Sequence, residues 1–229
     1  MTGKRRGLLI VLEGLDGAGT TTQAKELYNY ITGKGLSAWL TNEPTDEPVG
    51  KLIRDSISGR ITSPRTGRRI GFSEGALCLL FAADRLEHSR AVEDQRARGT
   101  HVVCDRYVLS SIAYQSLDPS IPPRRVIEVN EGCAVPDITF LLKVPVSECL
   151  ARLKRRSDTP TVYEKKAKLE KIDKNYRAAR KLYEKRFGPL VVIDGTQSVE
   201  DVHAEIVERL RDLLPRRQPG ARGRSSRRR

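Results

Sequence analysis

Little in this chain would tie it to secretion, to a membrane or to a structural metal. Its four cysteines, Cys78, Cys104, Cys133 and Cys149, form no CxxC pair, and each lies within or beside an apolar run. Buried thiols in a reducing compartment are therefore expected, rather than disulfides or a zinc site. The three histidines, His88, His101 and His203, are scattered without metal-ligand spacing and carry no catalytic expectation. Long hydrophobic runs are also lacking. The stretch at the amino end, Leu8–Leu12, is far too short to span a bilayer. Lys4, Arg5 and Arg6 before it are followed by too few apolar residues and no cleavage site for a secretory leader. A cytoplasmic protein with no membrane partner is expected.

Acidic residues are missing from Pro215 to Arg229, a stretch that holds seven arginines among Gly, Pro and Ser. This tail has almost nothing to bury and is expected to be disordered. It also carries much of the net charge of +13, which falls to +6 without it. The remainder, 1–214, is only mildly basic, so a nucleic-acid contact by the tail is compatible with the charge without being the expected main function.

What the chain does have is alternation. Short β-branched runs at Leu8–Leu12, Leu36–Leu40, His101–Cys104, Ile138–Val144 and Val191–Ile193 are separated by helical stretches. These are expected over Thr21–Ile31, from a Ser73 cap to Arg98, and over Ser147–Arg156, Tyr163–Phe187 and Val199–Leu213. Such an α/β order predicts one doubly wound, five-stranded parallel sheet with helices on both faces.

Between the first strand and the first helix stands Gly14-Leu15-Asp16-Gly17-Ala18-Gly19-Thr20-Thr21. A G-x-x-x-x-G turn in that position curls backbone N–H groups around phosphate, and Thr21 fills the slot whose hydroxyl ligates the Mg²⁺ of a nucleotide. Thr20 stands where the motif calls for lysine. Its hydroxyl cannot supply a full charge to the β- and γ-phosphates, so another cation is needed. Lys4, Arg5 and Arg6 lie at the wrong end of a strand about 15 Å long. Lys25 points away from the helix amino terminus.

Read together with Asp105-Arg106-Tyr107-Val-Leu-Ser110-Ser111-Ile-Ala113-Tyr114-Gln115, the phosphate loop resembles that of the thymidylate kinases, P-loop nucleoside monophosphate kinases. Phe81-Ala-Ala-Asp84-Arg85, Thr41-Asn42-Glu43-Pro44 and Pro136-Asp137-Ile-Thr-Phe-Leu-Leu are similar to further family segments, although Asn42 stands where the family often has Arg. The resemblance covers about Gly7 to Leu213. It implies a single kinase domain over 1–214, with a lid at about 152–164, that transfers phosphoryl from ATP to dTMP to give dTDP with Mg²⁺, as a homodimer. In this resemblance Gly14–Thr21 bind ATP, Thr21 and Asp105 hold the metal, and Arg106 forks between donor and acceptor phosphates. Phe81 stacks on thymine, Arg85 bonds its edge, Ser111 faces the base and Tyr114 packs under the sugar. Asp16 contacts the 3′-hydroxyl, Glu43 and Pro44 border the acceptor, Arg54 holds its phosphate and Tyr163 closes over it. Arg155 and Arg156 of the lid are the leading substitutes for the absent lysine charge. A degenerate nucleotide-binding homologue silenced by Thr20, and a kinase for another nucleoside monophosphate, are the alternatives.

Overall fold

The computed structural model describes residues 5–155 and 162–214, the first four residues of the second segment by backbone only. The sheet is built from β1 (Leu9–Gly14), β2 (Ala38–Asn42), β3 (His101–Asp105), β4 (Ile138–Lys143) and β5 (Leu190–Asp194). The strands are all parallel, in the order β2-β3-β1-β4-β5. Every residue of the central strand β1 is buried, as a strand covered by helices on both faces must be. Parallel neighbours require crossovers, and the helices supply them: α1 (Thr20–Gly33), α2 (Pro48–Ile57), α3 (Glu74–Ala97), α4 (Val108–Gln115), α5 (Pro123–Val129), α6 (Val146–Lys154), α7 (Val162–Phe187) and α8 (Val199–Leu210). Helices α1 and α8 pack together in one layer, and α3, α4 and α7 form the other.

The expected doubly wound sheet is present, with two departures. Strand β1 runs two residues past its expected end, through Glu13 and Gly14, and two short helices are added: α4, where the sequence shows only a motif, and α5, where it predicts no element. The long third helix begins as expected, with the Ser73 hydroxyl accepting from the Ala76 amide. All four cysteines are free and buried. Burial pushes each thiol up, that of Cys149 to about 11. Among the described residues no helix is long and apolar enough to cross a membrane.

The register sets the site. Leu12 of β1 lies opposite Asp105 of β3, and Asn42 of β2 lies opposite the same Asp105. The loops after all three strands therefore open at one edge, the carboxyl end, where open α/β sheets bind ligands.

Candidate active site

The phosphate loop is shaped by glycine. Gly17 has φ 87°, and a Cβ there would sit 2.6 Å from the Cys149 carbonyl oxygen, so no side chain fits between the loop and α6. Helix α1 then starts at Thr20 with no side-chain cap. Its first intrahelical bond is Gln23 N to Gly19 O, and the amides of Thr20, Thr21 and Thr22 precede it. An uncapped amino terminus at the end of a curled loop is suited to a phosphate. The Thr20 side chain is buried, with its methyl group against Gly14.

Thr21 and Asp105 meet: the Thr21 hydroxyl donates to Asp105 Oδ2. The other carboxylate oxygen, Oδ1, is buried without a hydrogen-bond partner among the described residues. A hydroxyl beside a carboxylate with a spare oxygen, at the mouth of a phosphate loop, is an oxygen donor set suited to Mg²⁺. Thus both expected metal residues fit the ion.

Arg106 follows at φ 70°, a left-handed conformation uncommon outside glycine and the mark of a position held by its surroundings. Its Nη2 donates to Asp16 Oδ1 at 2.7 Å, and its Nη1 reaches Ser110 Oγ and Tyr114 Oη, each at 3.3 Å. The guanidinium also lies 5.4 Å from the Tyr114 ring centroid. Burial works against its charge. The phenolic oxygens of Tyr114 and Tyr176 and the carboxylates of Asp16 and Glu13 nevertheless push its pKa well above the ordinary arginine value. Beneath it lies Glu13, fully buried, whose carboxyl is pushed up to about 7 by desolvation against hydrogen bonds from Ser110 and Tyr107 and the charge of Arg106.

A second cluster forms the neighbouring wall. Arg85, 1% exposed, donates from Nε to Glu43 Oε2 at 2.6 Å, from Nη2 to Ser111 Oγ at 2.9 Å and from Nη1 to Asn130 Oδ1. Two of its five N–H donors have no partner among the described residues. Glu43 Oε1 also accepts from His88 Nδ1 at 2.9 Å, so this residue faces the wall and grips Arg85. The turn after it is fixed by Asp84, which accepts from both the amide and the hydroxyl of Thr45. Helix α2 packs so closely on that turn that a Cβ on Gly50 would lie 2.0 Å from the Thr45 carbonyl oxygen. Arg54 donates to the carbonyls of Pro44 and Thr45 and pairs with Asp46 at 3.1 Å. Phe81 is half-buried one turn before Arg85 on α3.

On the opposite side of the phosphate loop lies a cavity of about 410 Å³. Gly17, Gly19, Gln23, Arg152, Arg155 and Gln197 contribute to its lining. Arg152 was not singled out from the sequence. It donates to Glu148 at 2.5 Å, to Gly195 O at 2.9 Å and to Ala18 O at 3.4 Å, which ties α6 and the β5–α8 turn to the phosphate loop. The available signal is its i, i+3 spacing from Arg155, the residue that ends α6, a spacing that on a helix puts two side chains on one face. Arg156 and the side chain of Tyr163 lie outside the described residues, as does the tail at 215–229.

The structure thus brings Gly14–Thr21, Asp105, Arg106 and Tyr114 together at one edge and gathers Glu43, Arg85 and Ser111 in the adjoining wall. Comparison with known proteins gives the family. The thymidylate kinase family profile matches residues 12–206. A probable thymidylate kinase from Pyrococcus horikoshii is 40% identical over 204 residues, covering 88% of this chain and 95% of its own. One from Methanocaldococcus jannaschii is 38% identical, covering 90% and 97%. The solved thymidylate kinase of Candida albicans superposes with a TM-score of 0.71 at 26% identity, covering 91% of this chain and 92% of that one. With its phosphate loop, its Asp-Arg pair and its buried Arg85 wall all inside the matched region, the chain belongs to the thymidylate kinase family.

Proposed function

We propose that this protein transfers the γ-phosphoryl group of ATP to dTMP, giving dTDP. The observation that carries the reading is the meeting of two half-sites at the carboxyl edge. Thr21 and Asp105 stand at the phosphate loop, and 2.7 Å from Asp16 stands Arg106, whose guanidinium can fork between phosphate oxygens. No general base is needed, because the nucleophile is a phosphate oxygen of dTMP, anionic at neutral pH. The chain's tasks are to align two polyanions, exclude water and spread positive charge over the transferring group. Thr21 and Asp105 would hold Mg²⁺, which when bound neutralises phosphate charge. The 410 Å³ cavity receives the base and ribose of ATP, flanked by Arg152 and Arg155. On the acceptor side, Arg85 offers its two remaining N–H groups to the thymine edge beside Phe81 and Ser111. Tyr114 lies under the sugar and Asp16 reaches the 3′-hydroxyl, while Glu43 supports the pocket by gripping Arg85 and Arg54 by holding the Pro44–Thr45 turn. Arg155 and Arg156 replace the charge missing at Thr20.

The same reading makes the protein a cytoplasmic homodimer. Exposed Leu79 and Leu86 on α3, with Ile57 on α2, supply an apolar face for a second copy. The test is ATP-dependent dTDP formation by purified wild type and a Thr20→Lys variant, with the mass of the same sample measured by sedimentation. Wild type is expected to turn over, and Thr20→Lys to raise kcat by no more than about 10-fold, since it adds one charged contact. An inactive wild type that Thr20→Lys switches on would sink the reading.

A further inference from the structure

Glu13 is a charged residue in the middle of an otherwise apolar, fully buried strand end, and nothing in the phosphoryl transfer above uses it. Burying a carboxylate is costly unless its oxygens are satisfied. Here they are. Oε1 accepts the amides of Tyr107 at 2.9 Å and Ser110 at 3.0 Å, and Oε2 accepts the Ser110 hydroxyl at 2.5 Å. Those two amides belong to the first turn of α4, whose own N-cap residue, Tyr107, makes no side-chain cap. Glu13 therefore caps α4 from another strand, 94 positions earlier in the chain, and favours the helix through its dipole as a local cap would.

The Ser110 hydroxyl is the pivot of this knot. Because it must donate to a carboxylate oxygen, its lone pairs are left to accept. They face Arg106 Nη1 at 3.3 Å and Tyr176 Oη at 2.9 Å. Tyr176, on α7, has a single proton to donate, and besides Ser110 Oγ its hydroxyl lies 3.0 Å from the Gly14 carbonyl and 3.3 Å from Glu13 Oε2. Helices α4 and α7 thus meet on the same carboxylate, and through Ser110 and Tyr176 it is linked to the left-handed residue Arg106 and to the start of the phosphate loop.

We propose that Glu13, acting through Ser110, is the positioning residue that holds the Arg106 guanidinium in its phosphate-facing orientation. It touches neither substrate. It dictates which way the Ser110 proton points, and thereby keeps an acceptor aimed at Arg106 while fixing the backbone that carries it. Replacing Glu13 with Gln keeps the volume but reverses the polarity. The amide N–H₂ presents a donor to Ser110 Oγ, whose own proton must then seek another acceptor and competes for the side on which Arg106 donates.

The inference rests on the kinase reading, and a double-mutant cycle separates the two. Steady-state kinetics would be measured for wild type, Glu13→Gln, Arg106→Ala and the double variant, with dTMP and ATP varied separately. Glu13→Gln is expected to lower kcat about 10-fold with KM for dTMP within about threefold, and to change kcat less than twofold once Arg106 is already Ala. Ser110→Ala is expected to behave in the same way, and it takes over the cycle if Glu13→Gln does not fold. Equal losses with and without Arg106, or full kcat in both Glu13→Gln and Ser110→Ala, would overturn the positioning role while leaving the kinase reading intact. No turnover by wild type would overturn both.

Discussion

The two walls of the site are built on opposite plans. On the acceptor side, side chains hold one another: Arg85 is bonded to Glu43, Ser111 and Asn130, His88 backs Glu43, and Asp84 pins the Thr45 turn. Around the phosphate loop, backbone does most of the holding: an uncapped helix start, a glycine loop and one arginine, Arg152, which pairs with Glu148 and holds the carbonyls of Ala18 and Gly195. The first plan suits recognition of a base, where each polar group must be in register. The second suits phosphate and a nucleotide donor, where amide dipoles and a few cations suffice. It also explains how a loop can carry Thr20 in place of lysine without distortion, because the loop's shape depends on glycines and on Arg152 rather than on the side chain at position 20.

Three substitutions would break or sharpen that contrast. The largest effect is expected from Glu43→Gln. It leaves a buried guanidinium, 1% exposed, without its counter-charge and should cost about 3–5 kcal/mol of unfolding free energy in urea titrations. A loss below about 1 kcal/mol would mean the acceptor wall is not held by charge. Next, Asp105→Asn acts where the walls meet. It should lower kcat about 100-fold with little change in thermal stability, since the residue's spare oxygen has no structural partner. A fall of less than threefold would remove Asp105 from the metal site. Smallest is Arg152→Ala, expected to raise KM for ATP about 10-fold while leaving KM for dTMP unchanged, as measured by steady-state kinetics. If both constants rose together, the two walls would not be independent.

The sheet was legible in the sequence because buried parallel strands are short apolar β-branched runs, and the helices between them have room for their own periodicity. The failures are informative. Glu13 breaks the apolar pattern, so the sequence predicts that β1 ends at Leu12, although the residue is fully buried. Helix α4 shows in the sequence only as a motif. It buries Val108, Leu109, Ser111, Ile112, Ala113 and Gln115, so it has no polar stripe to reveal a 3.6-residue period. Its cap comes from Glu13, which no local rule can see. The candidate site residues came from motif resemblance, and their positions along the sequence carry no sign that Glu43 and Arg54 turn toward protein groups. Arg152 lies in plain view within a basic run, but charge alone does not say which of its three arginines bends back onto the loop.

The four buried thiols have a practical consequence. Each is free, enclosed and held as the protonated form by desolvation, so maleimide and other thiol-directed dyes should find little to attack in the folded protein. A single cysteine introduced at an exposed position, such as Lys154 at the end of α6, would then be the sole ready handle on an otherwise native background. The chain is thereby already prepared for site-specific fluorescence beside its phosphate loop, without first stripping out its own sulfur.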